Sequence, residues 1–410
     1  MMKKILYCVL TLVMGLVLSG SGCGTDPMPP DGSEGRPFII TTPAELDNIR
    51  NELTMHYKLG RSIDLSGYLA TGGAGYLKAN WGAAGWLPIG TSSARFKGCL
   101  DGAGYTISGL WINRTTTDYI GLFGSLDDGA TLKNLGVAIT AAGVKGRNYV
   151  GGVAGAISGG TISHCYATGT VSGTNYVGGL AGVCYDNIAD KFGRITNCYA
   201  TGAVSGTDYV GGLAGECGIT TNCYATGTVS GTNYVGGLAG CSFRTSHCYA
   251  TGAVSGINSV GGLVGVNYSE CSITHCYATG TVSGTNSVGG LVGCSNSVSG
   301  IGISNCVALN PSVRATGADV GRVLGVEIEY LFYNGRANNW ASSGMTNGGG
   351  IAFPSGNGLT HLNGANVSAG TATGQYNNAT WWTSTGANGP GWSSTIWTFT
   401  TGTGQLPKFK

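Results

Sequence analysis

Charge is the scarcest resource in this 410-residue chain: Asp, Glu, Lys and Arg together make up 10% of it, where roughly 25% is ordinary for a globular protein. The 21 basic and 19 acidic residues nearly cancel, and no basic run or stripe is present, which argues against nucleic acid as a partner. Proline is limited to 10 residues without a Gly-X-Y period, so a collagen triple helix is excluded. No apolar run after the first 22 residues is long enough to span a bilayer. The segment from Val150 to Cys306 contains no tryptophan.

Glycine, by contrast, is abundant at 76 residues. Each glycine costs a helix about 1 kcal/mol relative to alanine, so long helices are unfavourable, while 42% hydrophobic residues is too many for a disordered polar chain. The expectation is an all-β chain with many tight turns.

Residues 1–22 read as an export signal, with Lys3 and Lys4 preceding the apolar stretch Ile5 to Leu18. Ser19, Gly20, Ser21 and Gly22 then lead to Cys23. That order resembles a lipobox, which implies acylation of Cys23 and a lipid anchor in the membrane, although Gly20 stands where an apolar residue is usual. Ordinary signal-peptide cleavage nearby is the alternative. The expected location is the outer membrane or cell surface as a lipoprotein, otherwise secreted. Residues 23–36 read as a flexible tether.

From Val150 the chain repeats. Val150-Gly-Gly-Val-Ala-Gly155 returns at Val177, Val210, Val235, Val260, Val288 and, worn, at Val320, in steps of 27, 33, 25, 25, 28 and 32 residues. Extra length falls between the Gly-Leu-Ala-Gly and Cys-Tyr-Ala-Thr segments, as in Val183 to Arg194. A unit of this size cannot bury its own apolar face, but stacked units form a continuous core with insertions on one side. The expected object is a rod of stacked coils.

In Cys198-Tyr199-Ala200-Thr201, period-two alternation turns Cys and Ala inward and Tyr and Thr outward. Asn197, Asn222 and Asn305, with His164, His247 and His275 in the other copies, precede the Cys at a corner where stacked side chains can form a ladder. Weaker coils extend upstream through Leu100, Ile107, Ile120 and Leu132. Before them, Thr42-Pro43-Ala44-Glu45 predicts a short capping helix, with Thr as N-cap, Pro at N1 and Glu at N3. Residues 37–89 form the N-terminal cap and first strands, 90–330 the repeats, and 331–410 an irregular Trp/Gly-rich closing section.

The Val-Gly-Gly-Leu-Ala-Gly and Val-Gly-Gly-Leu-Val-Gly segments resemble the GLUG repeat of bacterial cell-surface proteins. The resemblance implies a right-handed parallel β-helix on a cell surface, in a family that includes adhesin-like proteins and repeats beside IgA-cleaving metallopeptidase domains. No peptidase chemistry carries over, because the five histidines include no His-Glu-x-x-His.

Paired cysteines recur as Cys184/Cys198, Cys217/Cys223, Cys241/Cys248, Cys271/Cys276 and Cys294/Cys306. Spacing permits either disulfides closing the variable loops or a ladder of buried reduced thiols. No metal site or cofactor is implied, and the scattered carboxylates give no recurring acid/base cluster and no catalytic residues. One surface feature recurs: Tyr166, Tyr199, Tyr224, Tyr249 and Tyr277, with Thr168, Thr201, Thr226, Thr251 and Thr279 two residues on. Facing outward, they form a stripe suited to stacking on sugars or to protein contact; the plainer reading is a column that stabilises the sheet. The expectation is a monomeric, non-enzymatic surface rod, an adhesin binding glycans or proteins of host or neighbouring cells. The alternatives are a β-helix polysaccharide lyase or hydrolase and a passive structural spacer.

Overall fold

The computed structural model describes residues 29–186, 191–296, 302–327, 336–357, 362–368, 375–399 and 406–410. The leader, Cys23 and the tether up to residue 28 lie outside the described residues. The body is a parallel β-solenoid of about nine turns, followed by a C-terminal section with the short helix Ala379–Thr383 and the antiparallel pair Trp397–Thr398 and Lys408–Phe409.

One turn shows how the sequence makes the coil. Ala214–Thr221 is a strand of the first sheet, Tyr224–Ala225 and Val229–Ser230 lie in the second, and Asn233–Gly236 lies in the third. Each strand pairs in parallel with its counterpart in the next coil, Ala214 beside Ala239, Tyr224 beside Tyr249, Val229 beside Val254 and Val235 beside Val260. The repeat step is therefore the length of one coil. Register is enforced by burial, because slipping one residue would turn each inward side chain out. Leu180, Leu213, Leu238, Leu263 and Leu291 stack as one fully buried column, and Val177, Val210, Val235, Val260 and Val288 as another.

The corner between the first and second sheets is where the Asn/His alternation lies. His164, Asn197, Asn222, His247, His275 and Asn305 all have φ between 53° and 56°, in the left-handed region that Asn and His enter more readily than most residues. Their side chains meet along the stack: the Asn222 amide donates to Asn197 Oδ1 at 3.1 Å, and Asn197 meets His164 Nε2 at 3.1 Å.

The paired glycines of the repeat permit close approach of successive coils. A Cβ on Gly212 would lie 2.2 Å from the carbonyl oxygen of Gly237 in the next coil, and one on Gly215 would lie 2.5 Å from the carbonyl carbon of Tyr176 in the previous coil. Both distances are below any real contact, so the Val-Gly-Gly-Leu-Ala-Gly signature records where backbone packs on backbone.

At the N-terminus, Pro43–Asn48 is helical with the expected capping box: Glu45 N–H donates to Thr42 Oγ1, and the Glu45 carboxylate accepts from the Thr42 N–H. Leu46 and Ile49 are fully buried against the first coil. The stack runs further at both ends than the glycine signature. Phe38–Ile40 pairs with His56–Leu59 and that strand with Cys99–Asp101, while Trp340–Ser342 and Ala365–Val367 continue the second sheet beyond residue 330. The terminal coils bury larger side chains, such as Trp86, Phe96 and Trp340.

Substituting Gly212→Ala should destabilise the solenoid by about 1–3 kcal/mol, the usual cost of overpacking. Gly67→Ala, where an added Cβ meets open space, should leave the thermal melt unchanged or slightly raised.

Candidate binding face

The second sheet carries the Tyr/Thr stripe on its outer side. Rings of Tyr166, Tyr199, Tyr224, Tyr249 and Tyr277 stack in order with centroids 5.0, 4.8, 4.8 and 4.8 Å apart and planes within 7° of parallel. Stacking of this kind turns each ring face toward the next ring along the axis. Both ends are closed as well. Tyr166 leans over Gly136, where a Cβ would lie 2.4 Å from its ring, and its hydroxyl meets Thr106 Oγ1 at 2.8 Å. At the other end the C-terminal section lies on the stripe. Trp392, Trp397 and Trp382 surround Tyr277 at 6.0, 6.1 and 6.4 Å, and Phe409 lies 5.5 Å from Tyr249. The Tyr277 hydroxyl donates to the Pro407 carbonyl at 2.8 Å, leaving Tyr277 only 2% exposed.

Two details of the expected stripe therefore change. Tyr277 is buried beneath the tail, and the remaining rings offer edges and hydroxyls instead of faces to a sugar. The open part comprises half-buried Tyr166 and Tyr199, exposed Thr201 and Thr226, and half-buried Thr168, with half-buried Tyr224 at its edge, 6.2 Å from Phe409; Thr251 and Thr279, also half-buried, lie toward the covered end. Exposed Ser205, Ser230 and Ser255 add a parallel row of hydroxyls.

A second tyrosine ladder lies on the third sheet. Tyr119, Tyr149, Tyr176, Tyr209 and Tyr234 stack at 4.8, 5.2, 4.7 and 4.7 Å, all with φ between 54° and 61°. A bulky residue in this region is strained, and its recurrence in successive coils makes it part of the coil design. Beside it runs an amide ladder, with the side chains of Asn233, Asn258 and Asn286 donating to Asp208, Asn233 and Asn258 at 2.7, 2.8 and 2.9 Å. The recurring Asn-Tyr or Asp-Tyr dipeptide before Val-Gly-Gly was the available sequence signal for both ladders.

The cysteines divide by face. Cys165, Cys198, Cys223, Cys248, Cys276 and Cys306 occupy the inner corner and are almost fully buried. Backbone N–H groups of Cys165, Cys198, Cys223 and Cys248 donate to the sulfur of the next coil at 3.3–3.4 Å. Burial pushes the thiols of Cys198, Cys223 and Cys248 well up. The upstream cysteines do not share one column. Cys184 and Cys217 point into the core, whereas Cys241 and Cys294 lie on the opposite side beneath Tyr209 and Tyr234. Glu216 pairs with Cys241, and Cys217 with Ser242: a one-residue offset in the repeat places these sulfurs on opposite faces. Cys165, Cys184, Cys198, Cys217, Cys223, Cys248, Cys276, Cys294 and Cys306 are unbridged in the structure; the Cys271 side chain lies outside the described residues.

Several carboxylates are held in ion pairs, among them Asp101 with Lys133, Asp118 with Arg147, Asp128 with Lys191 and Glu327 with Arg336. Glu216 differs. It takes the register position of Val183 and Cys241 beside the second tyrosine ladder, and burial pushes its carboxyl up to about 7. Burial, and then the adjacent His275, pulls His247 down to about 4; these two rings stack at 4.9 Å under Trp397. Among the described residues, no group of three or more His, Cys, Asp or Glu is placed to hold a metal ion.

Because the folded state holds the Glu216 proton more tightly than the unfolded chain, ionisation penalises folding as pH rises from about 4.5 to about 7. Glu216→Gln should match the parent melting temperature below this window and exceed it by a few °C above it. His247 and His275 titrate in both proteins, so the difference between the two melting curves isolates Glu216.

Comparison with known proteins places the repeats. The GLUG motif matches residues 146–172, 173–205 and 256–283. A candidate Gly-rich membrane protein of Evansella cellulosilytica is 42% identical over 107 residues, 26% of this chain and 11% of that protein. Halomucin of Haloquadratum walsbyi is 38% identical over 148 residues, 34% of this chain and 2% of its own length. The chain thus matches only a small part of these relatives. A crystal structure of a candidate immunoglobulin A1 protease from Bacteroides ovatus aligns over 93% of this chain and 94% of its own, with 20% identity and a TM-score of 0.48.

Proposed function

We propose that this chain, a β-solenoid built on GLUG repeats, is a non-enzymatic cell-surface rod that binds glycans or proteins through the open hydroxyl face of its second sheet. The observation that carries this reading is the uncharged array of Tyr199, Tyr224, Thr201, Thr226, Ser205 and Ser230, repeated in register from coil to coil. With the ring faces occupied by one another, recognition on this face proceeds by hydrogen bonds from hydroxyls spaced by about 4.8 Å, the distance between strands. Many weak, evenly spaced contacts suit an extended polymer better than a small molecule.

The surface location draws on the export leader, the candidate lipid site at Cys23 and two relatives whose names are a Gly-rich membrane protein and a halomucin. A non-catalytic role accords with the ion pairs that hold Asp101, Asp118, Asp128 and Glu327. Glu216 has a carboxyl near the pH of general acid catalysis, but its surroundings are the tyrosine ladder and Cys241.

The test is an array of glycans and extracellular-matrix proteins probed with the full chain. Retention of at least one ligand class is expected, reduced roughly tenfold, or by about 1.4 kcal/mol, in Thr201→Lys, a single charge at an exposed position that leaves the melt unchanged. No retention on the array, or equal retention by the lysine variant, would favour a passive spacer. Release of reducing or unsaturated ends from a polysaccharide would favour a β-helix lyase or hydrolase.

A further inference from the structure

Away from the hydroxyl face, the N-terminal cap and the early coils enclose a cavity of about 350 Å³. The cap contributes Arg50 and Leu53, the following loop Leu87 and Thr91, and the segment after the strand Thr106–Asn113 contributes Arg114 and Tyr119. This volume lies near the lower end of the roughly 300–1,000 Å³ range of small-molecule sites, enough for one ring and not for a chain of them.

The cavity is positively charged, and its charges are fixed. Arg50 donates to Asp47 at 2.5 Å and to the carbonyls of Leu87 and Pro88 at 2.9 and 3.2 Å. Lys78 shares the same buried carboxylate, so one acid serves two cations. Arg114 donates to the carbonyls of Asn80, Trp86 and Gly85 at 2.7, 3.2 and 3.3 Å and has no carboxylate partner among the described residues. Asp118, which also lines the cavity, is engaged by Arg147 in a two-point bond of 2.8 and 2.7 Å. Burial, and then Arg50 nearby, lowers the Arg114 guanidinium below its ordinary range. A half-buried cation held only by neutral carbonyls, next to a second guanidinium, is stabilised by an entering anion.

The rest of the lining narrows the class of anion. Thr91, Ser92 and Thr117 bring hydroxyls, while Leu53, Leu87 and Ile120 supply an apolar side. Tyr119 is the first ring of the second tyrosine ladder and is braced by Tyr149 at 4.8 Å. Hydroxyls beside an aromatic and aliphatic wall match the edges and faces of a sugar, and paired guanidiniums match a carboxylate.

We infer that this cavity binds a single acidic sugar residue, with its carboxylate on Arg114 and Arg50 and its ring against Tyr119 and Leu87. The site is independent of the hydroxyl face and would serve a rod that meets acidic glycan ends as well as one that does not use its second sheet at all.

The experiment is calorimetric titration of the purified chain with glucuronate and N-acetylneuraminate, alongside glucose and inorganic phosphate at matched ionic strength. At least one acidic sugar should bind with salt-sensitive affinity, with glucose and phosphate each at least roughly tenfold weaker. Arg114→Gln should abolish the binding. Because Arg114 also ties three carbonyls, Ala94→Trp provides a second variant: Ala94 lies exposed on the rim, so the indole should obstruct the cavity, weaken binding roughly tenfold and leave the melt unchanged. Thr201→Lys should bind acidic sugar as the parent does, which separates failure of this site from failure of the hydroxyl face. The inference is overturned if neither acidic sugar binds, if glucose or phosphate binds as well, or if folded Arg114→Gln or Ala94→Trp retains full affinity.

Discussion

Parallel strands in successive coils share hydrogen bonds only at one spacing, about 4.8 Å, and every column of side chains in this protein inherits it. Residue types that gain from identical neighbours at that distance fill the columns: Leu and Val inside, Cys at the inner corner, Asn at the turning points, and Tyr on two outer faces. Where the chain crosses from the third sheet back to the first, backbone meets backbone, and only glycine fits. Gly212 and Gly215 show the constraint most sharply, since a Cβ at either would overlap a neighbouring coil.

The same spacing explains the low charge. A column of like charges 4.8 Å apart would cost about 1 kcal/mol per neighbour even in bulk water, so the regular coils keep their outer positions neutral. Charge gathers where repetition ends. The Asp47, Arg50 and Lys78 cluster lies in the N-terminal cap, and Lys191 pairs with Asp128 from an insertion. Asp208 is an informative exception inside the repeats, a single acid in an amide ladder that accepts from Asn233 at 2.7 Å. Stacking also determines what the surface can recognise. Aromatic rings that stabilise one another along the axis have no face left for a ligand, which shifts the chemistry of the second sheet to hydroxyls.

Much of the architecture was legible because it repeats. The coil length, the inward Cys and Ala, the Asn/His corner and the Thr42–Glu45 capping box all follow from residue types at fixed intervals. What stayed hidden depends on contacts that no single repeat contains. The tail over Tyr277 joins Pro407 to a residue 130 positions earlier, and its tryptophans gave no indication of which face they would cover. The recurring cysteine pairs did not show that a one-residue offset separates Cys217 from Cys241 onto opposite faces. The cavity at Arg114 forms between the cap and coils that lack the glycine signature, so no repeat pattern marked it. The Asn-Tyr or Asp-Tyr pairs before Val150, Val177, Val210 and Val235 were readable, and they mark the second tyrosine ladder.

The central claim is that one 25-residue step is one coil whose side chains are held in register by its neighbours. Deleting residues 214–238 joins Leu213 to Ala239 and removes one whole coil, so Ala239 takes the place of Ala214 beside Ala181. Circular dichroism during thermal unfolding measures the outcome, compared with deletion of residues 214–237, which shifts the alternation by one. The first deletion should keep β structure and a cooperative transition close to that of the parent, and the second should lose the transition. Equal behaviour of the two deletions would contradict the stacked, register-locked solenoid.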